Sequence, residues 1–149
     1  MKLQHIKETL NRPVAWTYTG IQYGKNQFTF KVNNKPFILT TFQQNKNEPD
    51  IEVQFCRDDL KGTNRIGITN DGDAFVVFAT IIDILKNLLQ KLEAGSNHKS
   101  TPKIIFTADE PNRRKLYKSL VNKFKRLGGW EGGEIRRGVF AVWRKETLS

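Results

Sequence analysis

Cysteine is almost absent from this chain. Cys56 stands alone, so no internal disulfide forms, and with His5 and His98 as the sole histidines no spacing resembles a zinc or iron site. The same scarcity removes nucleophile–imidazole chemistry, because two histidines so placed complete no Ser/His/Asp or Cys/His set. Also lacking is an apolar run at the start. Met1 to Pro13 carries charges and polar residues where a signal peptide has its hydrophobic segment. The longest apolar-periodic stretch holds Asp83, Lys86 and Lys91, too many charges for a membrane span. A soluble cytoplasmic protein without a structural metal is the expectation. No low-complexity tract, internal repeat or second domain boundary is visible, and 149 residues are enough to bury a core within one domain, 1–149.

What is present in excess is positive charge, and it is unevenly placed. Residues 1–98 carry 12 Lys/Arg against 10 Asp/Glu, whereas residues 99–149 carry 13 against 5, so most of the net charge of +10 belongs to the last third. A field of that sign attracts nucleic acid, acidic protein surfaces or anionic cofactors, and it says nothing about fold. A merely solubilising face accounts for the same composition.

The stretch Ile66 to Leu92 organises the rest. It reads as a strand, Arg65 to Thr69, passing through an Asp-Gly-Asp turn into the central helix. Apolar residues at Phe75, Val76, Phe78, Ala79, Ile81, Ile82, Ile84, Leu85, Leu88, Leu89 and Leu92 cover more than half of a helical wheel, with Thr80, Asp83, Asn87, Gln90 and Lys91 as a narrow wet face. Asp71 or Asp73 caps the first turn, and Gly95 sits where a stop belongs. Before it, Leu3 to Leu10 reads as a short helix or an arm ended by Pro13. Val14 to Thr19, Gln27 to Val32, Pro36 to Phe42 and Asp50 to Phe55 alternate β-branched and aromatic residues with polar ones and read as an antiparallel meander. Asn33-Asn34-Lys35 is a tight hairpin turn; Gln43 to Pro49 and Asp58 to Asn64 are polar connections.

After the central helix, Lys103 to Thr107 reads as a buried parallel strand. Asp109-Glu110-Pro111 starts a second helix running to about Leu127, with Leu116, Tyr117, Leu120, Val121, Phe124 and Leu127 toward the core and Arg113, Arg114, Lys115, Lys118, Lys123, Lys125 and Arg126 around the remainder. Gly128-Gly129 stops it. A glycine-rich link through Gly132-Gly133 leads to a last strand, Gly138 to Trp143. The expected class is α+β, a mixed sheet with an antiparallel first half and a β-α-β-α-β second half.

That order, with Asn112 to Trp130 (NRRKLYKSLVNKFKRLGGW) placing an Asn, a Leu-Tyr pair and a Gly-aromatic exit, resembles the GNAT superfamily of acyl-CoA N-acyltransferases over roughly Gln27 to Arg144. The resemblance implies a pyrophosphate cradle at Asn70, Gly72 and Ala74, with Asn112 beside the cofactor. It also implies Glu52, or Asp50 on the same strand, as the base for an acceptor amine, and Tyr117 as the acid for the leaving thiolate of acetyl-CoA. Separately, GDAFVVFATIIDIL with FTADEPNRRKLY is similar to small tailed-phage proteins, which implies a host-cytoplasm or virion setting and, as one alternative, a virion or host-takeover role by protein–protein contact.

The cradle departs from the family pattern. Thr69 precedes it, and Asp71 and Asp73 set two negative charges where a pyrophosphate would approach. Each catalytic candidate also has a plainer role, Glu52 as a solvated strand carboxylate and Tyr117 as core. The unambiguous charge therefore favours binding without catalysis or cofactor, to nucleic acid or an acidic partner surface. The candidate residues are Lys115, Lys118, Lys125 and Arg126 on the last helix, with Arg136, Arg137, Arg144 and Lys145 flanking the final strand. Trp130 and Trp143 are the candidate stacking surfaces.

Overall fold

A computed structural model describes residues 12–43, 50–58, 71–95, 102–108 and 111–145. The expected N-terminal arm, the strand at 65–69, the acidic cap at 109–110 and nearly all of the two polar connections lie outside them. The described elements are strands β1 (Trp16–Gln22), β2 (Lys25–Val32), β3 (Lys35–Phe42), β4 (Ile51–Arg57), β5 (Ile104–Thr107), β6 (Trp130–Arg136) and β7 (Val139–Arg144), and helices α1 (Asp71–Gly95) and α2 (Pro111–Arg126). They form an α+β fold with one mixed sheet in the order β1-β2-β3-β4-β5-β7-β6. Two compact units divide the chain: residues 1–40 with 55–90, and residues 41–54 with 91–149.

In the first unit β1 and β2 form an antiparallel hairpin longer than the alternation predicts, turning at Tyr23 and Gly24 with φ of 53° and 75°. The expected Asn33-Asn34 turn carries φ of 50° and 64°, the left-handed pair that a two-residue hairpin needs. Phe28, Phe30 and Val32 share the buried face of β2, as their spacing requires. Val76, Val77, Ile81, Ile82 and Ile84 are β-branched and indifferent helix formers, yet α1 forms. Val77, Phe78, Ala79, Ile81, Ile82, Ile84, Leu85 and Leu89 are all buried, and burial of each large side chain contributes about 1.5–3 kcal/mol, which outweighs propensity. Two residues of α1 differ from the wheel. Phe75 is exposed, and Thr80, expected on the wet face, is fully buried because its hydroxyl is used: it donates to Val76 O at 2.8 Å and accepts from Val14 N at 3.0 Å. Asp83, which is exposed as expected, accepts from Trp16 Nε1 at 2.9 Å, so two polar residues of α1 tie down the start of β1.

The second unit holds the parallel pair, Ile51 beside Ile104 and Val53 beside Phe106, with β7 antiparallel to β5 and β6 antiparallel to β7. Helix α2 lies against β6 and β7. Tyr117, Leu120, Val121 and Phe124 are its buried face. Leu127, expected in the core, is 49% exposed because the helix has already ended; its amide donates to Phe124 O at 3.1 Å in a closing turn.

The stretch expected as a glycine-rich link is strand β6. Gly132 faces Val142 so closely that a Cβ there would run into the Ala141 carbonyl and lie 2.9 Å from Val142 Cγ1. Glycine here permits strand pairing rather than breaking it.

Candidate polyanion-binding groove

Three cations of α2 fall on one helical row. Arg114, Lys118, Val121 and Lys125 recur at intervals of four, three and four, the repeat that stacks side chains along a helix. With Lys115 and Asn122 they form one wall of a groove of about 420 Å³, whose other side is Gly132, Gly133 and Glu134 of β6 and whose lining also includes Phe140 and Pro111. Lys115, Lys118 and Lys125 are exposed, while Arg114 is half-buried with its Nε shielded from solvent and without a hydrogen-bond partner. Glu134, the one carboxylate among the described lining residues, accepts from Gly138 N at 3.1 Å and so braces the β6–β7 turn.

Three of the expected binding residues, Lys115, Lys118 and Lys125, thus meet in one place. Arg126, Arg136, Arg137, Arg144 and Lys145 are exposed but outside the groove lining. Arg114, Asn122 and the bare strand at Gly132-Gly133 are the additions. The i, i+4, i+7 spacing from Arg114 was a legible signal for the first; nothing in the sequence marked the glycines as a wall.

The two tryptophans are not open platforms. Trp130 is 7% exposed, with its ring 5.0 Å from Phe124 between centroids, which corrects its assignment as a stacking surface. Trp143 pairs with Glu131, directly across from it on β6, and accepted neighbours on one strand alternate faces, so it stands on the side of the sheet opposite Trp130 and α2. Its Nε1 donates to Glu131 Oε2 at 3.2 Å, and Lys103 Nζ lies 5.5 Å from its ring centroid.

The residues implied by acyltransferase chemistry are less well disposed. Tyr117 is completely buried, its ring 5.3 Å from Phe106, so its hydroxyl does not meet solvent where a thiolate would leave. Glu52 is half-buried on β4, in register with Ile105. Asp50 accepts from Lys103 N at 3.3 Å and joins the ends of β4 and β5. Asp71 to Ala74 form the first turn of α1; Asn70 lies outside the described residues, and for Gly72 and Asn112 a helical backbone is described.

No family model, curated protein or solved structure matches this chain. Among the described residues no cluster of His, Cys, Asp and Glu is arranged to hold a metal ion, and no helix is long and apolar enough to cross a membrane.

One titrating group of α2, outside the groove lining, is displaced from its ordinary value. Lys123, half-buried on α2, is held below its ordinary value by burial first and by the Arg126 guanidinium second.

Proposed function

We propose that this chain is a non-enzymatic binding protein that grips a polyanion, nucleic acid or the acidic surface of a partner protein, through its C-terminal third. One observation carries the reading: Arg114, Lys115, Lys118 and Lys125 of α2 share a concave wall, and the five further expected cations are exposed within the same unit. Phosphates or carboxylates arriving there displace counterions and water at little cost in new burial. The parallel pair β4–β5, followed by α2 and a Gly-Gly-Trp exit, supports a GNAT-like arrangement. The resemblance to tailed-phage proteins favours a host or virion component as the partner.

Burial of Tyr117 and the acidic residues in the first turn of α1 weigh against acetyl-CoA chemistry. Calorimetry with acetyl-CoA, run beside a salt series with oligonucleotides and poly-glutamate, separates the readings. Polyanion binding that weakens as salt rises, with no cofactor heat, is expected. Micromolar cofactor heat abolished by Gly72→Glu, with no polyanion binding, would reinstate the N-acetyltransferase.

A further inference from the structure

We propose that the groove between α2 and β6 receives an extended acidic peptide, added to the sheet as a further strand on β6. The proposal rests on the polyanion-binding reading and names its ligand.

Among the described residues β6 ends the sheet and β7 is its only strand partner. Two hydrogen bonds fix which of its backbone groups are taken. Lys145 N donates to Gly129 O at 2.8 Å, one step beyond the Trp130–Arg144 pair, and Ala108 N donates to Gly138 O at 2.8 Å on the other side of β7. In an antiparallel ladder alternate residues turn their N–H and C=O to opposite neighbours. Both bonds give the same phase: odd residues of β7 turn toward β6 and even residues toward β5. On β6, therefore, Glu131 and Gly133 are the residues that bond inward, and Trp130, Gly132 and Glu134 turn their N–H and C=O outward along the open edge. That edge lies in the groove, since Gly132 and Glu134 line it.

The glycines make the edge approachable. Gly132, whose N–H and C=O turn outward, and its neighbour Gly133 carry no side chains of their own to screen the backbone at the middle of the strand. The register shift between Glu134 and Arg136 ends the regular edge there, leaving about five residues for pairing. Five extended residues span about 17 Å. The α2 wall from Lys115 to Lys125 spans about 15 Å at the helical rise, so the two run to similar lengths. Alternate side chains of an added strand would point at that wall, and Arg114, Lys115, Lys118 and Lys125 select carboxylates for those positions. A single-stranded nucleic acid fits less well. Bases need exposed rings, whereas Phe140 and Trp130 are buried and Trp143 stands on the other face.

The test uses a capped octapeptide of alternating Glu and Val, and the same peptide N-methylated at every backbone nitrogen, which keeps the charge but has no N–H to donate to the edge. The full chain is expected to bind the first peptide at least about tenfold more tightly than the second. Amide exchange at Gly132 and Glu134 is expected to slow about tenfold or more when the first peptide is added, with little change at Gly133, which already bonds inward. Lys118→Ala should weaken the first peptide while leaving the free protein's exchange pattern intact. Equal binding of both peptides, or unchanged exchange at Gly132 in the bound state, would overturn strand addition. Binding of an oligonucleotide but of neither peptide would overturn this proposal and leave the polyanion reading standing, whereas no binding to peptide, oligonucleotide or poly-glutamate would remove both.

Discussion

The rings of Phe124 and Trp130 meet at 5.0 Å between centroids with 59° between their planes, closing the last turn of α2 onto the first residue of β6. The contact makes Trp130 a structural residue of the groove rather than part of its binding surface. Trp130→Ala is expected to cost about 3–5 kcal/mol in chemical denaturation, as truncation of a buried Trp does. The dissociation constant per folded molecule for a polyanion should change less than that for Lys118→Ala. A variant of wild-type stability with lost binding would return Trp130 to the surface.

Thr80 and Asp83 anchor the entry to β1 from one helix, but at different depths. Thr80→Val leaves the part-buried Val14 amide without its acceptor and is expected to cost about 1–3 kcal/mol. Asp83→Ala removes the exposed bond to Trp16 and should cost about 0.5–1.5 kcal/mol, water replacing the carboxylate. Denaturant midpoints at constant slope check the order. Equal costs would mean that burial at Thr80 adds nothing.

Gly138 turns the chain between β6 and β7 with φ of 77°, and a Cβ there would lie 2.6 Å from Ala108 O. Gly138→Ala therefore combines a left-handed backbone cost of about 1–2 kcal/mol with a collision against backbone that cannot swing aside. The melting temperature should fall by several degrees, more than for alanine at Gly133, where a Cβ meets open space. Comparable tolerance at the two positions would contradict the turn geometry.

Lys123 gives a pH dependence with a defined sign. Its folded-state value lies below the ordinary 10.5 because burial and then Arg126 disfavour the charged form. The unfolded chain thus holds this proton more tightly. Stability from this group is fully present above pH 10.5 and is lost as pH falls through the lower folded value. Lys123→Met should raise the melting temperature at neutral pH and reduce the gain in stability on approaching pH 10.5. A melting temperature lowered by the substitution at neutral pH would show that the interactions of the Lys123 head outweigh its desolvation.

Much of the architecture was legible where one physical signal dominated. The burial of α1, the alternation of Phe28, Phe30 and Val32, and the short apolar β5 follow from periodicity alone. Thr80 was misplaced because a wheel sorts residues by polarity and does not see the Val14 amide, brought near from sixty-six residues away just before β1. Gly132-Gly133 read as a break because the reason for glycine at Gly132, close approach to β7, exists only once the sheet is assembled. The same limit applied to the groove. Helical spacing announced the row of cations, but the facing strand edge depended on pairing between β6 and β7 that no local pattern specifies.

Binding of a labelled duplex oligonucleotide and of labelled poly-glutamate across a salt series, for the unaltered chain and for the Lys115→Ala/Lys118→Ala/Lys125→Ala variant, tests the central claim most directly. The account predicts measurable binding to at least one of them by the unaltered chain, falling steeply with salt. Where the duplex binds, the triple variant should lose up to about 2.7 units of log–log slope, roughly 0.9 for each phosphate contact removed. Binding by neither ligand, or a triple variant indistinguishable from the unaltered chain, would contradict it.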